Sequence, residues 1–378
     1  MRRVDVRCRH RSGMSDAGER RLRPRARDSR PVLHLGSKES ESLKAAPEKC
    51  DLGWRIETPV SSRLWQKSAL GMTVDNGAII LKPSEVLYCH WHRNIALPST
   101  DFIAQMLSAD ERFLHESVAL EAVRLGGEIL LLQQGKQDFG KIHPETWGLR
   151  WDRTDHPSKG PPIAQVRWFI STDTLNLENV LDWVDYVEEQ GQRAEVVVVD
   201  PEYDCTIYLM TRANPVGNMQ APSKINSDEW NKIHDLLKKS TQGAEGIFIN
   251  SLDWPLQNLG LKQAGGVCLD NVEASWLETK VAGGTLTGEV HILDSLLEQG
   301  LLARPGFKYG CKWRVYDSPV GEGHAPWLLS TPEQKPRSWD EACLRARLAA
   351  GVNKLWISAM LLQEELVFLG MERILLGR

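Results

Sequence analysis

The feature that most constrains the fold of this chain is an internal duplication. Three segments of the first half align with three segments of the second half in the same order, at shifts of 188, 173 and 161 residues. The matched pairs are 77–88 with 265–276, 120–123 with 293–296, and 206–212 with 367–373. The falling shifts indicate that the first copy carries extra loop residues, and the segment 136–162 is the expected insertion.

The duplication divides the chain into parts. We expect the first copy at residues 51–213 and the second at residues 227–378. A Pro/Gly/Asn-rich linker at residues 214–226 joins them. Residues 1–50 are predicted to be a disordered basic tail, in which Met14 is an alternative start.

Within the second copy, the residue pattern predicts helices and strands in mixed order. The expected helices are 291–300, with one apolar face, and 338–350, with Ser338 as N-cap and Glu341 completing a capping box. The expected strands are 307–310, 312–316, 327–329, 355–362 and 366–373. This order predicts an α/β domain built on a mixed sheet.

Charge is distributed unevenly along the chain. Residues 1–30 contain eleven Arg and four acidic residues, a formal charge of +7, so the remaining 348 residues carry −11. The charge of the body alone therefore predicts no nucleic-acid partner. The sequence contains no apolar stretch long enough to cross a membrane. Seven scattered Cys without a CxxC pair favour a reducing compartment and a cytoplasmic location.

Three motifs of the second copy stand in a fixed order. Residues 307–316 read Phe-Lys-Tyr-Gly-Cys-Lys-Trp-Arg-Val-Tyr, residues 323–329 read Gly-His-Ala-Pro-Trp-Leu-Leu, and residues 345–355 end in Val-Asn-Lys-Leu. Together they resemble the C-terminal domain of archaeal tRNA-splicing endonucleases. The resemblance covers about seventy residues, and the duplication extends it, because one branch of the family fuses two such units and works as a homodimer.

The resemblance implies an α/β (α+β) fold of two tandem copies. Each copy has a small N-terminal α/β subdomain followed by a restriction-endonuclease-like, mixed-sheet nuclease subdomain. On this basis residues 51–213 are a degenerate, non-catalytic repeat. Residues 227–300 are the N-terminal subdomain of the catalytic repeat, and residues 301–378 are its nuclease domain.

The chemistry implied by the resemblance is metal-independent cleavage of precursor tRNA at a bulge–helix–bulge, without a cofactor. The 2′-hydroxyl attacks the adjacent phosphorus and leaves a 2′,3′-cyclic phosphate and a 5′-hydroxyl. Carried over by position, Tyr316 is the general base, His324 the general acid and Lys354 the cation that stabilises the transition state. Such a reaction needs two groups that exchange protons and one fixed positive charge.

Each of these residues has an ordinary structural interpretation when taken alone. Tyr316 suits a packed strand end, His324 an exposed loop, and Lys354 a helix terminus. Two other functions stay open: a non-catalytic RNA-binding or structural subunit of the same fold, and a metal-dependent nuclease. The latter needs clustered carboxylates, and Asp317 alone does not supply them. The run 88–92, Tyr-Cys-His-Trp-His, fits no standard zinc spacing.

The resemblance also implies contacts with RNA and with a second protomer. Arg347 and Arg373 match the pair that sandwiches a bulged base, and Arg345 is a further RNA contact. An acidic loop containing Asp200, Glu202 and Asp204 is expected to enter a basic pocket of the partner protomer; an ordinary hairpin turn is the alternative interpretation.

The first copy lacks the three motifs. We expect residues 166–170 to correspond to 312–316, which puts Phe169 or Ile170 in place of the tyrosine. No His lies between residues 157 and 233, and Arg193 or Glu195 stands near the position of the lysine.

Overall fold

The computed structural model describes residues 44–134, 139–362 and 365–376. The described part from Ala45 onward forms one compact unit. The predicted basic tail, residues 1–50, lies largely outside the described residues. The predicted C-terminal boundary of this tail is wrong. Its last three residues, Glu48–Cys50, form a strand that pairs with the strand after the turn at 51–52.

The first part of the chain contains a small antiparallel sheet, then helices, then half of a large sheet. The elements of the small sheet and its helices are β1 (Glu48–Cys50), β2 (Gly53–Ile56), α1 (Val60–Ser68), β3 (Met72–Thr73), β4 (Ile79–Leu81), α2 (Pro83–Arg93), α3 (Phe102–Ala109) and α4 (Phe113–Arg124). The elements of the large sheet are β5 (Ile129–Leu132), β6 (Gly148–Trp151), β7 (Ala164–Ile170), α5 (Leu177–Glu189), β8 (Arg193–Val199) and β9 (Cys205–Ala213).

The second part of the chain likewise begins with a small antiparallel sheet. Its first elements are α6 (Ser227–Leu237), β10 (Thr241–Gly243), β11 (Gly246–Ile249), β12 (Leu261–Gln263), β13 (Gly266–Asp270), α7 (Asn271–Ala282) and α8 (Gly288–Glu298). The large-sheet elements are β14 (Leu302–Pro305), β15 (Trp313–Tyr316), β16 (Trp327–Ser330), α9 (Trp339–Ala350), β17 (Leu355–Leu362) and β18 (Glu365–Ile374).

Ten strands of the described residues form one mixed sheet, in the order β14-β15-β16-β17-β18-β9-β8-β7-β6-β5. The central pair, β18 and β9, is antiparallel. On both sides of that pair, the successive pairings outward are antiparallel, parallel, antiparallel and antiparallel. The predicted mixed α/β class is therefore confirmed.

Most predicted elements of the second part form where the residue pattern placed them. Helix α8 buries Ile292, Leu293, Leu296 and Leu297 along one face, as its spacing predicts. A turn, an apolar strand and a helix follow one another at both 77–88 and 265–276. At the second of these, the Asp270 carboxylate accepts the amide hydrogens of Val272 and Glu273, and Glu273 accepts that of Asp270. This capping box begins α7 directly after β13.

Two local predictions in the second part are wrong. The segment 307–310 is a 3₁₀ turn rather than a strand, because Gly310 adopts the left-handed φ of 64° and reverses the chain between β14 and β15. Ser338 is the N-cap of α9, but the capping box is not formed. The Ser338 hydroxyl donates to Asp340, and Glu341 accepts the Arg337 amide hydrogen at 3.0 Å.

The expected correspondence between 166–170 and 312–316 is also wrong. Strand β7 pairs in parallel with β8, as β16 pairs with β17. By pairing, the strand that matches β15 is therefore β6. Trp151 of β6 lies opposite Ile129 of β5, just as Tyr316 of β15 lies opposite Leu302 of β14. The pattern missed β6 because it is four residues long and lies in the loop-like segment 136–162.

Helices α5 and α9 lie on one face of the large sheet, α5 against β8 and β9 and α9 against β17 and β18. Trp183 of α5 and Trp339 of α9 are fully buried there in one core with residues of β8, β9, β17 and β18. The sheet and this core therefore join both parts of the chain. None of the helices in the described residues is both long and apolar enough to cross a lipid bilayer.

Candidate active site

Tyr316 is the last residue of β15 and lies at the point where that strand enters a loop. Its side chain is 8% exposed and packs in a small apolar cluster with Met219, Leu302 and Ala325. The guanidinium carbon of Arg314, two residues earlier on the same strand face, lies 5.8 Å from the centre of the Tyr316 ring. The phenol is therefore held in place by apolar contacts and has a cation beside it.

His324 is exposed on the loop that joins β15 to β16. Two features fix this part of the loop. Val320 and Gly323 form a short bridge just before the histidine, and Ala325 is buried directly after it. The Leu355 amide donates to the carbonyl oxygen of Pro326 at 2.9 Å, which ties the loop to the start of β17.

Lys354 stands between α9 and β17 and is partly buried. Asn353, with a left-handed φ of 55°, ends the helix and turns the chain into the strand. The Lys354 ammonium donates to the carbonyl oxygen of Ala325 at 2.5 Å. Desolvation, and to a smaller extent the positive charge of Arg314, lower the pKa of Lys354 below its usual value.

The three residues predicted to carry catalysis are brought together around Ala325. Its side chain lies in the cluster that contains Tyr316, its carbonyl oxygen accepts the Lys354 ammonium, and His324 precedes it in the chain. Three separate elements, β15, the following loop and the α9–β17 junction, thus contribute one group each. This arrangement offers a phenol, an imidazole and an ammonium where β15 ends and β16 and β17 begin.

Arg347 and Arg373 are both exposed, on α9 and β18 respectively. Arg373 lies directly across from Tyr208 of β9 in the sheet. The charges of both arginines act on the Tyr208 phenol, although burial and the neighbouring Cys343 raise the pKa of that phenol overall. The two arginines therefore lie near one buried side chain, as a pair.

A cleft of about 330 Å³ runs between Lys354 and Arg373, one of these two arginines. Its lining residues are Ala350, Asn353, Lys354, Leu355, Glu372 and Arg373. A ligand that reaches from Lys354 to Arg373 has room to lie along it.

The Arg345 guanidinium is engaged within the protein. It donates to the Ser330 hydroxyl at 2.9 Å and to the carbonyl oxygen of Gln334. Desolvation lowers the pKa of Arg345. These bonds hold the turn after β16 against α9, and the expected contact of Arg345 with RNA stays a prediction.

The acidic loop lies between β8 and β9, as the sequence indicates. One carboxylate oxygen of Asp200 accepts the amide hydrogens of Glu202 and Asp204, each at 2.9 Å. Tyr203 adopts a left-handed φ of 61°, and its ring lies on the His115 ring at 4.7 Å. The turn is thus internally fixed, with Glu202 exposed at its tip.

The matching positions in the first part of the chain carry different side chains. Trp151, at the place of Tyr316, is fully buried and donates to the carbonyl oxygen of Gly160 at 2.8 Å. Gln192 precedes β8 as Lys354 precedes β17, and it donates to the carbonyl oxygen of Pro162. Neither Arg193 nor Glu195 holds the lysine position, because the parallel register assigns it to Gln192.

The shifts between matched segments are the sequence signal that indicates Trp151 and Gln192 as the corresponding residues. Their shifts from Tyr316 and Lys354 are 165 and 162 residues, between the 173 and 161 of the flanking matches. The correspondence of 166–170 with 312–316 has a shift of 146 and breaks this steady fall.

The histidines of the run 88–92 have partners within the protein. His90 Nδ1 lies 2.8 Å from the carbonyl oxygen of Ile95, and His92 Nε2 lies 2.8 Å from the Glu121 carboxylate. Across the described ranges, no three His, Cys, Asp or Glu side chains are grouped so as to hold a metal ion.

One segment of the chain, which contains this site, is similar to a known family of domains. Residues 290–367 match the model of the tRNA intron endonuclease, catalytic C-terminal domain. The matched segment includes Tyr316, His324, Arg347 and Lys354, whereas Arg373 lies beyond it.

Three archaeal relatives, each named tRNA-splicing endonuclease, are similar to a larger part of the chain. The identity is 24% over 180 residues for Picrophilus torridus, 22% over 268 residues for Methanococcoides burtonii, and 31% over 175 residues for Thermoplasma volcanium. These matches cover 47%, 64% and 46% of this chain, and 55%, 74% and 53% of the relatives. The chain thus spans about half the length of two of these relatives. The similarity to archaeal tRNA-splicing endonucleases that the motifs indicate is confirmed.

Proposed function

We propose that this protein is a tRNA-intron endonuclease. It cleaves precursor tRNA at bulge–helix–bulge splice sites by metal-independent transesterification, and it leaves a 2′,3′-cyclic phosphate and a 5′-hydroxyl. The observation that carries this proposal is the convergence of Tyr316, His324 and Lys354 around Ala325, inside the segment that matches the family's catalytic domain.

The three groups divide the chemistry between them. Tyr316 takes the proton of the attacking 2′-hydroxyl, and His324 gives a proton to the departing 5′-oxygen. Lys354 holds its ammonium where negative charge develops on the phosphorane oxygens. The exposure of His324 suits a proton donor that must reach a leaving group on a large RNA, and the anchored Ala325 keeps that histidine near the lysine.

RNA binding is assigned to the cleft that runs away from Lys354. Arg347 and Arg373 clamp a bulged base between their planar guanidinium groups, which stack well on aromatic faces. Both side chains are exposed and close enough to act on the same Tyr208 phenol. Arg345, held by its bonds to Ser330 and Gln334, adds positive charge for a phosphate.

The chain is, on this proposal, a fusion of two units of one restriction-endonuclease-like fold, of which only the second is catalytic. The same succession of strand pairings on the two sides of β18 and β9 supports this. The first unit has Trp151 and Gln192 where the second has Tyr316 and Lys354. Pro161 precedes the start of β7 by the same three residues by which His324 precedes the start of β16. These three side chains of the first unit cannot exchange protons or carry charge in the same way.

Two such chains form a homodimer with one catalytic unit for each splice site. The acidic loop of one protomer, with Asp200, Glu202 and Asp204, enters the catalytic half of the other. A cleft of about 400 Å³ between β12 and the loop at Pro319 suits this role, because Lys262 lies at its edge.

A cleavage assay tests the proposed function directly. The protein is incubated with a bulge–helix–bulge RNA in excess EDTA, and two variants are compared: His324→Ala and, as a matched control, His234→Ala, which removes an exposed histidine of α6. We expect cleavage by the wild-type and His234→Ala proteins and its loss in His324→Ala. Binding without cleavage would favour the non-catalytic RNA-binding alternative, and cleavage only with Mg²⁺ would favour a metal-dependent nuclease.

A further inference from the structure

The linker at residues 214–226 is fixed to the backbone of the second part of the chain at three consecutive residues. The Gly217 amide donates to Gln299 at 2.9 Å, and the Met219 amide donates to Gly300 at 3.1 Å. Between them, the Asn218 amide donates to the carbonyl oxygen of Asp317 at 2.9 Å. The linker is therefore bonded to the turn after α8 and also to the residue that follows Tyr316.

This docking depends on a close approach between two glycines. A Cβ atom on Gly217 would lie 2.1 Å from the carbonyl oxygen of Gly300, and one on Gly300 would lie 2.7 Å from that of Met219. Any larger residue at 217 must push the linker away from α8, since the obstructing atoms belong to the backbone. The contact is thus built into the sequence of the linker.

The docked linker places Met219 against the candidate active site. The Met219 side chain is 8% exposed and packs with Leu302, Tyr316 and Ala325 in one apolar cluster. Two members of this cluster belong to the site: the phenol itself, and the residue that follows His324 and accepts the Lys354 ammonium. Met219 is therefore in the same cluster as the Tyr316 side chain. It is also in the same cluster as Ala325, which adjoins His324 and accepts the hydrogen bond of Lys354.

We propose that Met219 is a positioning residue that holds Tyr316 and the His324 loop in their reactive arrangement. The inference rests on the proposed function, since it assigns the tyrosine a part in the reaction. Displacement of a catalytic group by about 1 Å costs an enzyme on the order of 100-fold in rate, and an unsupported phenol is free to move by that much. Close packing of the Met219 side chain within this cluster restricts that displacement without supplying any chemistry of its own.

A consequence is that the two halves of the chain are coupled at the site. Strand β9 ends at Ala213, only six residues before Met219, and it pairs with β18 in the centre of the sheet. The position of the linker is therefore fixed at one end by the inter-unit strand pair and at the other by the active-site cluster.

A double-mutant cycle tests the positioning role. Met219→Ala is expected to lower kcat about 10- to 100-fold with little change in KM, and Met219→Leu is expected to retain most of the activity. In a Tyr316→Phe background, Met219→Ala is expected to cause a smaller loss than in the wild-type background, because the part of its effect that passes through the tyrosine hydroxyl is already absent. An equal loss of kcat in both backgrounds would show that Met219 acts through general stability and would overturn the proposal.

Hydrogen exchange read by mass spectrometry tests the docking without any use of activity. Met219→Ala and Gly217→Ala are expected to speed exchange in residues 317–326, while Gln220→Ala, which changes a neighbouring exposed residue, leaves it unchanged. Unchanged exchange in this segment in both test variants would contradict the inference. If Gly217→Ala loosens the whole chain, Met219→Ala decides the outcome. Absence of cleavage by the wild-type protein would instead count against the proposed function.

Discussion

The ammonium of Lys354 donates a hydrogen bond of 2.5 Å to the carbonyl oxygen of Ala325, the residue next to His324. This bond links the end of α9 to the loop that carries the histidine. It also keeps the ammonium partly buried, near Arg314. This one contact therefore bears both on the position of the His324 loop and on the pKa of Lys354.

The pH dependence of cleavage follows from this contact. Desolvation and Arg314 lower the pKa of Lys354, so the ammonium loses its proton at a lower pH than a free lysine does. Activity that depends on this cation is present below that pKa and falls as the pH rises through it. The kcat–pH profile of Arg314→Met is expected to show its alkaline limb at higher pH than the wild-type profile. An alkaline limb at the same pH in both proteins would show that the loss of activity at high pH does not come from deprotonation of Lys354.

The arginine pair is expected to affect affinity more than the chemical step. Arg347→Ala and Arg373→Ala should each weaken RNA binding by about 1–3 kcal/mol, in the range of stacking contacts to unpaired bases. Lysine at either position should restore little, since it lacks the planar face. Affinities measured for RNA with and without the bulge check this, because the loss should appear only with the bulge. Equal losses for both RNAs would indicate phosphate contacts instead.

The acidic loop gives a test of the proposed homodimer. Glu202→Lys reverses an exposed charge without touching the Asp200 bonds that hold the turn, and it is expected to dissociate the dimer in sedimentation velocity runs. The compensating pair Glu202→Lys with Lys262→Glu should restore the dimer. Glu189→Lys, an exposed reversal on α5, serves as the control. A dimer that survives Glu202→Lys would leave the loop as an ordinary hairpin turn.

Trp151 is expected to stabilise the first unit and to take no part in the reaction. The side chain is fully buried, so Trp151→Ala should lower the free energy of unfolding by about 3–5 kcal/mol. Denaturant titration measures this change. At temperatures where the variant is folded, kcat should equal that of the wild-type protein. A selective loss of kcat in the folded variant would give Trp151 a catalytic role.

Much of the fold could be predicted from matched segments that carry strong local patterns. The apolar face of α8 is set by residues close in the chain, so this helix forms as expected. Strand β6 could not be predicted in this way. It has four residues in a loop-rich segment, and pairing with β5 and β7 determines its position.

The sequence predicted which three residues lie together at the candidate site, but only part of the geometry that joins them. The motifs indicate Tyr316, His324 and Lys354, and the structure brings them together. Nothing in the sequence pattern indicates Ala325 as their common neighbour, or Met219 as a member of the apolar cluster around Tyr316. Both contacts join segments far apart in the chain, and a single Met in a Pro/Gly/Asn-rich linker has no periodicity that predicts burial.

The most direct test of cleavage by the 2′-hydroxyl removes one oxygen atom from the RNA. A bulge–helix–bulge RNA with a 2′-deoxyribose at the scissile nucleotide lacks the proposed nucleophile, while its binding surface is almost unchanged. In excess EDTA, the protein is expected to cleave the all-ribose RNA to a 2′,3′-cyclic phosphate and to leave the deoxy-substituted RNA bound and intact. Cleavage of the deoxy-substituted RNA at the same bond would contradict the account, because water rather than the 2′-hydroxyl would then be the nucleophile.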